Sequence, residues 1–116
     1  MQHDPRVSLV DMINACERAG QWMAKLSQGQ FLNDNMVQYA VWAQIVIVGE
    51  AARRIPEDFR QQCPFIPWAS INGMRNRLVH GYDLVDWNIV WVVATRELPQ
   101  ILSGLKNIEV LFDEEI

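Results

Sequence analysis

The stretch "NDNMVQYAVWAQIVIVGEAARRIP", Asn33 to Pro56, decides the fold class. Val37, Ala40, Val41, Gln44, Ile45 and Val48 recur every three or four residues, the spacing that lines one face of an α-helix. Trp42, Val46 and Ile47 widen the stripe, so this helix is expected to be buried on more than one side. Asn33 or Asp34 can cap its start. It must stop before Pro56, because proline disfavours helical geometry in the residue ahead of it.

Outward from this helix the same periodicity repeats. Upstream, Asp4-Pro5 reads as an N-cap with proline at the first helical position. Leu9, Met12, Ile13, Cys16, Ala19, Met23 and Leu26 then form a stripe, which Gly29 is expected to close. Downstream, "PEDFRQQCP" (Pro56 to Pro64) predicts a short helix, with acidic residues in its first turn and a proline at each end. Pro67 opens a further helix through Trp68, Ile71, Met74 and Leu78, fading at His80-Gly81. Asp86 can cap the last, with Trp87, Val90, Trp91, Ala94 and Leu98 on one face. Pro99 should kink or restart it before Ile101, Leu102, Leu105, Ile108 and Leu111. No run shows sustained strand alternation. The expected fold is all-α, an up-and-down bundle of four to five helices.

Composition agrees with one globular unit. The 116 residues suffice for one modest core, so residues 1–116 are expected to form a single domain. Half are hydrophobic and 21% charged, an ordinary folded composition. The longest apolar run, "AVWAQIVIVG" from Ala40 to Gly49, is far shorter than a membrane span and is interrupted by Gln44. The N-terminus lacks a signal-peptide layout, and a cytoplasmic location follows as the expectation. Cys16 and Cys63 stand far apart with no metal-ligand spacing, so both are expected as reduced thiols in or near the core, and no metal or cofactor is expected. The five tryptophans are expected mainly in the core, with some available for a helix-on-helix dimer contact.

Net charge is −4, which argues against a broad basic face that tracks nucleic acid. The distribution is uneven. Five arginines between Arg53 and Arg77 oppose only Glu57 and Asp58, a local excess of +3 that leaves −7 for the rest. Within that segment, "GMRNRLVHGYDLVDW" from Gly73 to Trp87 holds Arg75, His80 and Tyr82 in a chain with one other histidine. On an ideal helix Arg75 and Tyr82 share a face while His80 points elsewhere. Asn76, four residues before His80, can hydrogen-bond its ring, and a helix end at Gly81 would free the histidine to turn toward Arg75. Spacing alone equally allows a plain helix end, with His80 a partner of the helix dipole and the arginines solvated.

Resemblance weighs on that choice. "RNRLVHGY" resembles the signature of HEPN-domain proteins, an arginine, four residues, a histidine, one residue and a tyrosine. "IVGEAARRIP" (Ile47 to Pro56), "PFIPWASINGMRNRLVHGYDLVDWNIVW" (Pro64 to Trp91) and "LPQIL" (Leu98 to Leu102) are similar, in order, to segments of the HepT-like toxin branch of that superfamily. The resemblance implies an all-α HEPN-like fold that dimerises so that two motif copies meet in a cleft. It implies a metal-independent endoribonuclease, the toxin of a type II/VII-like toxin–antitoxin pair. The implied partner is a small MntA-like nucleotidyltransferase that neutralises the toxin by attaching AMP to the motif tyrosine. Arg75 and His80 would then be catalytic, and Tyr82 the modification target.

The residue types suit that chemistry. Metal-free RNA cleavage through the 2′-hydroxyl needs a proton shuttle and a fixed cation on the phosphate, roles open to histidine and arginine. Asn76 would position the histidine or phosphate, and Tyr82 can stack on a base. Glu50 is either a solvated helix residue or the partner that orients Arg75 or Arg53. Arg53 and Arg77 are candidate substrate contacts, Arg53 and Arg54 being equally at home as surface charges. Asp83 and Asp86 suit turn and cap roles. The alternative function is a non-catalytic helical module that serves a nucleotidyltransferase as partner subunit, in line with the acidic net charge.

Overall fold

The computed structural model describes residues 4–78 and 84–115, with the side chains of all of these except Arg75 and residues 109–115. The described chain is all-α. Helices α1 (Pro5–Met23), α2 (Gln28–Leu32), α3 (Asn35–Arg53), α4 (Glu57–Gln62), α5 (Trp68–Leu78), α6 (Trp87–Val92) and α7 (Leu98–Glu115) follow one another, with a π-helical segment, Val93–Glu97, joining the last two. No helix among the described residues is long and apolar enough to cross a membrane.

Three starts lie where side-chain chemistry puts them. Asp4 accepts from the Arg6 amide ahead of Pro5, Asp34 from the Val37 amide, and Asp86 from the Asn88 and Ile89 amides. One expectation needs correcting. Gly29 does not close the first helix: α1 ends at Met23, and Gly29 lies inside α2. Ser27 caps that short helix reciprocally with Gln30, a serine–glutamine capping box that overrides glycine's tendency to end helices.

The long helices α1 and α3 pack together, α7 covers α1, and α5 lies against α3. Their stripes meet in one core, with Met12, Cys16 and Ala19 from α1, Val41, Ile45 and Val48 from α3, Ile71, Met74 and Leu78 from α5, and Leu98, Leu105 and Ile108 from α7. Gln44, in the α3 stripe, is buried but satisfied. It donates to the Ala40 carbonyl at 3.3 Å and accepts from Arg18 Nε at 2.7 Å, tying α1 to α3. Cys16 and Cys63 are buried free thiols. The tryptophans depart from expectation. None is fully buried: Trp42, Trp68, Trp87 and Trp91 lie half-buried over the core, and Trp22 is 38% exposed. An indole is large and carries an N–H that needs a partner, so the rim of a small core suits it better than the centre. Among the described residues Phe31 takes the fully buried aromatic place, its ring 5.7 Å from that of Trp91 and 6.5 Å from that of Trp87.

Candidate functional site

Helix α5 carries the arginine of the motif. Ile71, Met74 and Leu78 are its buried face, spaced three and four apart. The exposed Asn72 and Asn76, also four apart, therefore project on another side, toward α3. There α3 and α5 diverge and leave a cleft of about 440 Å³, floored by Ile45, Ile71 and Met74 and rimmed by Glu50, Arg53, Arg60, Asn72 and Asn76. Gly49 opens its wall on the α3 side, since a Cβ there would meet nothing within 4 Å.

Three residues singled out by sequence, Glu50, Arg53 and Asn76, come together in this cleft. Glu50 pairs with Arg53 one turn on, Oε1 to Nη1 at 3.5 Å, on an exposed rim. That is longer than a firm charge-assisted bond and holds Arg53 only loosely. Arg77 is elsewhere. It faces Glu97 of the π segment in a two-pronged pair at 2.7 and 3.1 Å, and this hydrogen bonding raises the guanidinium pKa above its ordinary value. At 100° per residue, position 77 is about 160° around α5 from position 75, so the two positions lie on different sides of the helix.

Arg75 lies within α5, in the turn between Asn72 and Asn76, while its side chain, His80 and Tyr82 lie outside the described residues. The ends of the segment that carries His80 and Tyr82 are fixed. Leu78 is fully buried at the end of α5, and its carbonyl accepts from the Asp86 amide at 2.8 Å. Asp86 in turn caps α6. Leu78 and Asp86 thus meet at the end of α5, two residues beyond Asn76.

Two cleft residues escaped the sequence reading. Arg60 comes from the short α4, and Asn72 from the turn before the motif. The Trp68 indole donates to the carbonyls of Arg60 and Cys63 at 3.2 and 3.0 Å, fastening the end of α4 to the start of α5. The proline-bounded "PEDFRQQCP" signalled a short helix, but nothing in its spacing says which way Arg60 faces.

Comparison with known proteins agrees with the family resemblance. The family model described as "Ribonuclease HepT-like" matches residues 12–108. "Putative RNase MJ1380" of Methanocaldococcus jannaschii is 30% identical over 110 residues, covering 95% of this chain and 98% of that protein. "Probable ribonuclease HepT" of Thermococcus cleftensis is 32% identical over 108 residues, 93% of this chain and 98% of its own. "Putative RNase TTE0752" of Caldanaerobacter subterraneus is 31% identical over 104 residues, with coverage of 90% and 93%. No solved structure matches the chain significantly.

Proposed function

Because this chain belongs to the HepT-like ribonuclease family, we propose that it is a metal-independent endoribonuclease, the toxin of a toxin–antitoxin pair acting in the cytoplasm. Residues 1–116 act as one domain, and a homodimer brings two motif copies to a shared cleft. Arg75 and His80 are the catalytic residues. His80 accepts the proton of a ribose 2′-hydroxyl, whose oxygen attacks the adjacent phosphorus. The 5′-oxygen leaves and takes a proton from the imidazolium of the second copy, giving a cyclic phosphate and a free 5′-hydroxyl. Arg75 holds the charge that gathers on the phosphate oxygens.

One observation carries the reading. Position 75 lies on α5, in the turn between two asparagines of a nucleotide-sized cleft, and His80 follows the buried Leu78 by two positions in the sequence. Asn76 and Glu50 are supporting residues, and Arg53 and Tyr82 contact RNA. Arg77 is the weaker substrate contact, since Glu97 already occupies its fork.

Purified protein incubated with cellular RNA in EDTA should cleave it. His80→Ala or Arg75→Ala should lower the rate by roughly 10²- to 10⁴-fold, the usual size of a general acid–base or charge-stabilising contribution. A wild type that cleaves none of a diverse RNA set overturns the reading. Control falls to Tyr82. An MntA-like nucleotidyltransferase partner attaches AMP there, placing a phosphate where Arg75 would hold substrate and adding bulk that blocks RNA. Co-expression with that partner should add mass in whole AMP units to the peptide containing Tyr82. Modification mapped to Tyr39 instead would exclude this control.

A further inference from the structure

The rim of the α3–α5 cleft holds a cation that the motif does not account for. Arg60 lines it from α4, and its Nε is buried with no hydrogen-bond partner among the described residues. The residue is also well placed. Its backbone carbonyl accepts from the Trp68 indole at 3.2 Å and from the Cys63 amide at 3.1 Å, so its stem is anchored where α4 meets α5. Arg53, on the rim of the same cleft, is held among the described residues by Glu50 at 3.5 Å, a contact that a stronger anion can displace. Asn72 and Asn76 add amide donors from α5.

Two guanidinium groups from different helices, with two asparagine amides lining the same cleft, suit the oxygens of a phosphodiester. The 440 Å³ of space is at the small end of ligand sites and suits about one nucleotide. We infer that Arg60 and Arg53 form a phosphate subsite for single-stranded RNA, one that holds a phosphate neighbouring the cleaved one and sets the register of the strand past Arg75. Glu50 is the acidic group of the rim. It turns from Arg53 when the phosphate arrives and otherwise discourages stray anions. The inference rests on the ribonuclease reading, and it explains how an acidic protein holds a polyanion through a few local cations.

The test measures binding separately from cleavage. A labelled ten-nucleotide single-stranded RNA is titrated against the His80→Ala protein at several salt concentrations, alone and combined with Arg60→Gln or Asn72→Asp. Arg60→Gln should weaken binding roughly tenfold and flatten the log–log salt slope by about 0.7, the loss of one phosphate contact. Asn72→Asp, at an exposed position, should weaken binding similarly by placing a negative charge in the cleft. Arg96→Gln, on the exposed surface of the π segment, should leave both affinity and slope unchanged. In the cleaving enzyme, Arg60→Gln should raise KM with kcat nearly intact. If the wild type cleaves RNA while both cleft variants bind with unaltered affinity and slope, the subsite is overturned and the ribonuclease reading stands. If the wild type cleaves nothing but binding still depends on Arg60, the subsite stands without the nuclease. A chain that neither binds nor cleaves RNA overturns both.

Discussion

At the scale of single residues, Cys16 shows how far burial governs chemistry in this small core. Its thiol is 3% exposed, and burial, helped by the neighbouring Glu17 charge, pushes its pKa up to about 12 from an ordinary 9.0. Below pH 9 the folded and unfolded chains both keep the proton, and titration of this group leaves stability untouched. Between 9 and about 12 the unfolded chain gives it up while the folded chain retains it, so stability falls as pH rises, by about 1.4 kcal/mol per unit. Urea unfolding at pH 8, 9 and 10 should show wild type losing about 1 kcal/mol more than Cys16→Ala over the last unit, since the unfolded thiol is half ionised at pH 9. Parallel curves for the two proteins would refute the assignment. The same thiol should resist alkylation at pH 8 until the chain unfolds. Arg60 teaches the converse lesson. Its place at the cleft depends on where α4 is fastened by Trp68, a tertiary contact that no local spacing encodes.

Among the elements, the passage from α6 to α7 is the most informative. In an α-helix the Thr95 carbonyl would accept from residue 99, but Pro99 has no N–H and its ring would crowd that carbonyl. The helix widens instead. The Leu98 amide bonds back to Val93, five residues earlier, and the Thr95 hydroxyl donates to the Trp91 carbonyl at 2.7 Å. The proline signalled an interruption in the sequence, and the interruption occurs just ahead of it. That it takes the form of a π segment, not a kink, depends on packing over α1 and cannot be read from proline alone. The widening also aims Glu97 at Arg77 on α5. With side chains 45% and 26% exposed, this pair should couple by about 0.5–1 kcal/mol in a double-mutant cycle using Arg77→Ala and Glu97→Ala. In a Pro99→Ala background the helix can regain its α register, and the coupling should shrink. A coupling indifferent to Pro99 would show that the π segment does not set the pair. The long stripes of α1, α3 and α7 and the aspartate caps were legible because periodicity and capping are local. α2 was not legible because the α1 stripe runs on through Leu26, and Gly29 reads as that helix's end although it lies inside α2.

For the whole molecule, the question is what the remaining apolar surface meets. Met36 is 85% exposed and Tyr39, one turn on, is 58% exposed, its ring 5.0 Å from the half-buried Trp87. Leu84, just before α6, is exposed as well. Scattered exposed apolar groups need no partner, but a family whose motif is expected to work in pairs gives these a use. Sedimentation at micromolar concentration should therefore report a dimer. Met36→Lys or Leu84→Lys would weaken it if this surface takes part, and the loss of cleavage should track the loss of dimer. A monomer with full activity would exclude the shared cleft. The bond from Asp86 to Leu78 has a bearing on how such a protein can change over time. It brings together Leu78 and Asp86, the residues that flank the span 79–85. Lengthening that span by one residue alters the closure entropy by only about 0.1 kcal/mol, a change thermal denaturation would scarcely register. The same insertion would shift every residue beyond it by one place relative to Arg75. Natural variation in this span is therefore filtered by what the protein does to its substrate and hardly at all by whether it folds.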